Sequence, residues 1–223
     1  MNNQRDQRRV LVAIASGAEM RACRLEPADL WVEILAAPGV GVVQTGVGKA
    51  CAAGGVARVL DPARHSGVIS LGVGGAYPSS GLEIGAAVLA RQSVFADEGI
   101  QTPDGYRSCT EMGFAPTHSG DAIAGDLDWA ESLVGRGHQI GTVACVSTCS
   151  GTDARADAIA GRTGAVVEAM EGAAVGLVAR HVGVHFAEIR VVSNTTGDRD
   201  RQLWDLPLAL REMGALFDRL VRN

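Results

Sequence analysis

Lysine is nearly missing from this chain of 223 residues: Lys49 is the only one, and the 20 basic residues face 25 acidic ones, a formal net charge of -5. No stretch gathers arginine into a stripe, which excludes the dense cationic footprint of a nucleic-acid groove, so the expected partner is a small molecule. Aromatic residues are also scarce, at 4%, so the core has to be built from Val, Ala, Leu and Ile; 47% hydrophobic residues suffice for one compact α/β domain. The five cysteines (Cys23, Cys51, Cys109, Cys145 and Cys149) are odd in number and include no CxxC pair. That excludes a disulfide framework and a zinc site, and reduced thiols point to the cytoplasm. No run approaches the roughly 18 apolar residues of a membrane span, so no membrane partner is expected.

The N-terminus superficially resembles a secretory leader. Arg5, Arg8 and Arg9 precede the apolar run Val10-Leu-Val-Ala-Ile-Ala, but the run is short and meets Glu19 and Arg21. It reads better as a first buried strand behind a flexible tail over residues 1–9. Residues 10–223 form a single domain with no linker, repeat or low-complexity tract.

Strand-length apolar runs recur at 10–15, 32–36, 40–45, 68–71, 86–90, 141–146, 165–167 and 186–192. Ala-rich helical stretches over 49–60, 120–136, 153–163, 170–182 and 206–221 lie among them. Strands without clean in/out alternation, separated by helices, imply a largely parallel sheet covered on both faces. Ligands of such sheets collect outside the carboxyl ends of the strands, which selects the loops 16–20, 72–75, 147–153 and 193–200.

Two segments carry the chemistry. Glu168-Ala-Met-Glu171-Gly-Ala-Ala places acids on a small-residue stretch, where an ionised carboxylate must be solvated or partnered. Val191-Val-Ser-Asn-Thr-Thr-Gly-Asp198 places a polar cluster at the end of a strand. Glu19 follows the first strand among small residues, where an acid taken alone is more often a solvated loop carboxylate; Glu171 is the stronger candidate, with a helix-start acid held by the dipole as its lesser alternative. Gly72-Val-Gly-Gly75 lacks the full GxGxxG pattern and reads as a turn that lets a ligand approach the backbone. Thr45-Gly-Val-Gly-Lys49 lacks Walker spacing and reads as punctuation between strand and helix. His181 and His185 flank the helix-ending Gly183 and read as a solvated helix end, Cys145 and Cys149 as packing thiols, and residues 198–201 as a surface charge cluster. No metal or cofactor is expected.

Together these pieces resemble the purine nucleoside phosphorylase and nucleosidase superfamily over nearly the whole chain, especially the methylthioadenosine/S-adenosylhomocysteine nucleosidases. The resemblance implies a three-layer α/β nucleoside phosphorylase-like fold, its central mixed, largely parallel twisted sheet flanked by helices. It gives Glu19 the place of a water-activating acid, Val73, Gly74 and Gly75 that of the glycine turn, and Met170-Glu171 that of the pair holding the ribose hydroxyls. Ser193-Asn194 stands where those relatives have Ser-Asp. A carboxylic acid donates to N7 of adenine and accepts from its 6-amino group, whereas an amide donates to a 6-oxo group and accepts from a protonated N7. Asn194 therefore suits hypoxanthine or guanine. Within the superfamily, Ser193-Asn-Thr-Thr-Gly-Asp-Arg-Asp200 with Trp204-Asp205 resembles the futalosine hydrolases, which release hypoxanthine from futalosine in menaquinone biosynthesis.

The resemblance also implies a mechanism: Glu171 binds the 2′ and 3′ hydroxyls, Glu19 activates water, Asn194 stabilises the leaving base, and Met170 forms a wall under the sugar. Thr152 matches the place of an aromatic beside the base; Phe95 offers an apolar contact, with a core role as its plainer reading. Phosphorylases hold phosphate with an arginine and a hydroxyl residue around the glycine turn; the matching positions read Ser70 and Val73, so water is the expected nucleophile. The benzoate arm of futalosine calls for a cation, for which Arg199 and Arg201 are candidates. A homo-oligomer, preferably a dimer, is implied, with the 95–106 segment of a neighbour closing the pocket. The open alternatives are a methylthioadenosine/S-adenosylhomocysteine nucleosidase, a phosphate-dependent phosphorylase and, less favoured, a non-catalytic nucleoside-binding protein.

Overall fold

The computed structural model describes residues 8–222. Most of the tail expected over 1–9 lies outside them; Arg8 donates to the Pro62 carbonyl at 3.0 Å, and Arg9 already opens the first strand. The chain begins with β1 (Arg9–Ile14), α1 (Gly17–Ala22), β2 (Glu33–Ala37), β3 (Val40–Gln44), α2 (Lys49–Val59) and β4 (His65–Ala76). There follow β5 (Ala87–Phe95), the hairpin β6 (Gly99–Thr102) and β7 (Gly105–Ser108), β8 (Ala122–Ala124), α3 (Leu127–Val134) and β9 (Gln139–Cys145). It ends with α4 (Asp153–Thr163), β10 (Ala165–Ala169), α5 (Gly172–Val182), β11 (His185–Thr195) and α6 (Leu206–Arg222).

β1 pairs in parallel with β3 and β4, β4 with β11, and β9 with β5 and β10. β2 on β3, β5 on β11 and β8 on β5 are antiparallel, so the sheet is mixed. The path β2-β3-β1-β4-β11-β5-β9-β10 turns back on itself, because β10 also pairs antiparallel with the end of β4 through Val167–Ala76 and Glu168–Gly75. This closure gathers the ends of β4, β10 and β11 around one opening.

Alternate residues of β1 face two cores. Val10, Val12 and Ile14 meet Met213, Phe217 and Leu220 of α6, whereas Leu11 and Ala13 meet Val56 of α2 and Val175 of α5. Both faces are covered, which is why the strand is apolar throughout. α6 buries Ala209, Met213, Leu216, Phe217 and Leu220 on one stripe, each large side chain contributing roughly 1.5–3 kcal/mol on leaving water.

Two sequence readings change. Glycines 72, 74 and 75 are not a turn: β4 runs through them to Ala76, and none has a positive φ. Space is the reason for them. A Cβ on Gly72 would lie 2.2 Å from Arg190 Nη1 and 2.7 Å from Glu19 Oε1, and one on Gly74 would lie 2.8 Å from the Glu168 carbonyl oxygen. The helix expected over 120–136 shrinks to α3, because residues 122–124 pair with Val94, Ser93 and Gln92 as β8. Sheet pairing there overrides the helix propensity of an Ala-rich segment. The short helix α1 and the β6–β7 hairpin are additions that the apolar pattern did not announce.

Candidate active site

A cavity of about 540 Å³ opens at the closure of the sheet. Of the residues singled out from sequence, Glu19, Val73, Gly74, Gly75, Met170, Glu171, Ser193 and Asn194 all line it. Phe95 and Thr152 do not. Phe95 is 5% exposed at the end of β5 and borders an adjoining cleft that shares Val47 and Met170 with the cavity. The Thr152 hydroxyl instead caps α4, accepting from the Arg155 N–H at 3.3 Å, and Cys149, Ser150 and Gly151 of the same loop form the wall.

Glu19 is set by a capping box that the sequence displays as Ser16-Gly-Ala-Glu19. Its Oε2 accepts from the Ser16 N–H and hydroxyl, both at 2.9 Å, while the Ser16 hydroxyl caps the Glu19 N–H. Its Oε1 accepts from the Val73 N–H at 3.0 Å, made possible by the bare backbone of Gly72. The acid is thus local in origin and tertiary in aim.

Glu171 occupies the cap position of α5, one residue before the helix. Its Oε1 accepts from the Gly48 N–H at 3.0 Å, so the glycine segment before α2 is more than punctuation. Its Oε2 lies 3.5 Å from an Nη of Arg190, a completely buried guanidinium. Arg190 also donates through Nε to Glu188 Oε1 at 2.7 Å and through Nη2 to Ser70 Oγ at 2.7 Å. Burial alone would lower the Arg190 pKa, but Glu188 and then Glu171 outweigh it and hold the group above the usual arginine range. Glu188, 1% exposed, is further held by the Ser93 hydroxyl and lies against Gly172, where a Cβ would overlap its carboxylate. Charges this deep persist only when paired and hydrogen-bonded.

Asn194 is oriented by its own strand. Its Nδ2 donates to the Thr195 carbonyl at 2.9 Å, and since that oxygen can only accept, the amide nitrogen is placed. The Ser193 hydroxyl lies 2.8 Å from Asn194 Oδ1 and 3.2 Å from the Gly74 carbonyl. One N–H and one oxygen lone pair of the amide remain for a ligand. Glu168, also on the wall, accepts from the Tyr77 hydroxyl at 2.9 Å, the Ser150 N–H at 2.7 Å and the Ser150 hydroxyl at 2.5 Å.

The rim is apolar with one cation. Trp204 is half exposed, Leu206 and Leu210 lie beside it, and the Arg199 guanidinium sits 4.7 Å from the Trp204 ring centroid. Arg201, by contrast, is held by Asp153 and Asp198. Among the described residues no histidine lines the cavity, and the one thiol that does, Cys149, has its pKa raised by burial, then by Glu168 and Glu171, which disfavours a thiolate nucleophile. His185 pairs with Asp126 at 2.6 Å and stacks on Trp129. Among the described residues no cluster of three or more His, Cys, Asp or Glu is arranged to hold a metal, and no helix is long and apolar enough to cross a membrane. What the cavity offers is two carboxylates beside a buried guanidinium, an oriented amide and apolar walls. Such a set can stabilise a cationic sugar, activate water and accept a departing heterocycle.

Sequence alone did not reveal Arg190 and Glu188, although the signal was present: two opposite charges two residues apart inside an apolar strand project to one face and require each other. It also passed over the capping box.

The model of the phosphorylase superfamily matches residues 30–222, beginning after Glu19. The futalosine hydrolase of Acidothermus cellulolyticus is 37% identical over 183 residues, 79% of this chain and 72% of that protein. The structure of the futalosine hydrolase of Helicobacter pylori superposes with a TM-score of 0.74 at 17% identity, covering 97% of this chain and 98% of that one. The 5′-methylthioadenosine/S-adenosylhomocysteine nucleosidase of Neisseria meningitidis, solved with methylthio-immucillin-A, gives 0.76 at 19% identity, covering 96% and 99%.

Proposed function

Since the chain belongs to the phosphorylase superfamily and, within it, to the futalosine hydrolases, we propose that it cleaves the N-ribosidic bond of futalosine with water, releasing hypoxanthine and dehypoxanthine futalosine for menaquinone biosynthesis. The observation that carries this reading is the row Glu19–Arg190–Glu171. A Cβ on Gly72 would touch Glu19 Oε1 and Arg190 together, and Arg190 in turn touches Glu171.

Cleavage passes through an oxocarbenium-like sugar. Glu171, held by Gly48 and Arg190, accepts the 2′ and 3′ hydroxyls and sets negative charge beside the ribose. Glu19 orients and deprotonates water below C1′. Asn194 donates to O6 and accepts from N7 as the base leaves, and Met170 supports the sugar face. Water rather than phosphate fits the charge: the nearby guanidinium is committed to two carboxylates and Ser70, while the Glu19 carboxylate would repel an anion. Of the two arginines considered for the benzoate arm, Arg199 faces the cavity and Arg201 is already paired. A cytoplasmic homodimer, with the 95–106 segment of a second copy covering the cleft beside Phe95, belongs to the same reading.

Pure protein incubated with futalosine should release free hypoxanthine, seen by liquid chromatography, at a rate that added phosphate does not raise. Intact futalosine after prolonged incubation, or a phosphorylated sugar product, would refute the assignment. Asn194→Asp should lower the kcat/KM ratio of futalosine to its 6-amino analogue by about 10–100-fold, the effect of one or two mispaired buried groups at about 1–3 kcal/mol each. The new carboxyl has no N–H to offer O6, whereas its oxygens can accept from a 6-amino group. An unchanged ratio would contradict the base-reading role.

A further inference from the structure

A 6-oxopurine carries a hydrogen on N1, and Asn194, engaged with O6 and N7, leaves that donor unanswered. Across the cavity stands a matching acceptor. Glu168 is 5% exposed, and its hydrogen-bond donors among the described residues are all neutral: the Ser150 N–H on Oε1, the Ser150 and Tyr77 hydroxyls on Oε2. A carboxylate has about four acceptor positions, so one remains, on Oε1.

The register of the sheet aims this group. Glu168 pairs with Gly75 from β10 and Asn194 pairs with Gly75 from β11. Paired residues on neighbouring strands project to the same face, and two strand spacings amount to about 10 Å. Carboxylate and amide therefore flank a slot whose floor is a glycine. A Cβ at Gly75 would come within 3.0 Å of Asn194 Nδ2 and within 2.9 Å of Thr196 Cγ2, so any larger residue would fill the slot. Tyr77 is 1% exposed, and its pKa is raised by burial and then by Glu168, so it stays a donor and holds the carboxylate in place.

Resting on the reading that the substrate is a 6-oxopurine nucleoside, we propose that Glu168 is a specificity-determining residue: its Oε1 accepts the N1–H, while Asn194 reads the opposite part of the same base. Tyr77 and Ser150 are its positioning residues. A 6-aminopurine presents a lone pair at N1, which the carboxylate repels, so selectivity contains a repulsive element as well as an attractive one.

The test compares kcat/KM for futalosine and its 6-amino analogue in the parent, in Glu168→Gln and in Tyr77→Phe. Glu168→Gln should lose about 10–100-fold on futalosine, chiefly as a raised KM, as expected for one hydrogen bond to a charged group. It should lose little on the 6-amino analogue, because an amide N–H can donate to N1. Tyr77→Phe, which loosens the carboxylate without removing it, should lower kcat/KM for futalosine by a smaller factor and spare the 6-amino analogue. Equal losses on both substrates in Glu168→Gln would overturn the proposal while leaving futalosine hydrolysis intact; a parent that does not cleave futalosine would overturn the reading beneath it. Should Glu168→Gln fail to fold, product inhibition of the parent decides. Hypoxanthine should inhibit at least tenfold more strongly than 1-methylhypoxanthine, and equal inhibition would overturn the assignment.

Discussion

Glu171→Gln should keep the fold and lose about 10²–10³-fold in kcat, roughly 2.7–4 kcal/mol of transition-state stabilisation. The amide is isosteric and its oxygen can still accept from the Gly48 N–H, now 3.0 Å from Glu171 Oε1. What it lacks is charge. In the parent, Glu171 lies 3.5 Å from the Arg190 guanidinium and, on the proposed reading, screens it from the sugar. In the variant that guanidinium keeps Glu188 but opposes the positive charge developing on the ribose. Because the penalty grows as the bond breaks, kcat should fall more than KM rises. Turnover near the parent's in a folded variant, checked by circular dichroism and thermal unfolding, would remove Glu171 from the sugar.

Glu19→Gln should be as severe, about 10²–10⁴-fold in kcat/KM, the range for losing a general base. The capping box keeps the local fold under this substitution. Glutamine serves at the third position of such a box as glutamate does, so Ser16 keeps its partner and α1 its start, while the side-chain NH2 meets the Val73 N–H and costs about 1–3 kcal/mol. A structural role and a catalytic role thus predict different results. If Glu19 only capped α1, activity would persist in the folded variant; if it deprotonates water, activity disappears from a protein that still folds, as circular dichroism would show. Retained activity in the folded variant would end the general-base assignment.

Several residues that line the cavity were legible before any coordinates. Glu19 stands just beyond the first apolar run, Glu171 closes an acid-bearing small-residue segment, and Asn194 follows the last strand run, positions where α/β sheets present their loops. Others were not legible for definite reasons. Thr152 and Phe95 lie near the cavity in sequence terms, but a cap and a strand end turn their side chains elsewhere. Glycines 72, 74 and 75 looked like a turn, because sequence registers the lack of a side chain without saying what occupies the space.

The sequence by itself determined the class of fold, most of the strands and helices, and the kinds of group available for chemistry, because apolar periodicity and composition act locally along the chain. Only the tertiary structure decided which of those groups stand together. The closure of β10 onto β4 sets Glu168 beside Gly75, and the parallel pairing of β11 with β4 sets Asn194 on its other side. The same packing drives Arg190 between Glu188 and Glu171. A buried charge is tolerated only where distant segments deliver its partner, and that delivery is a property of register and strand order, which local pattern does not encode.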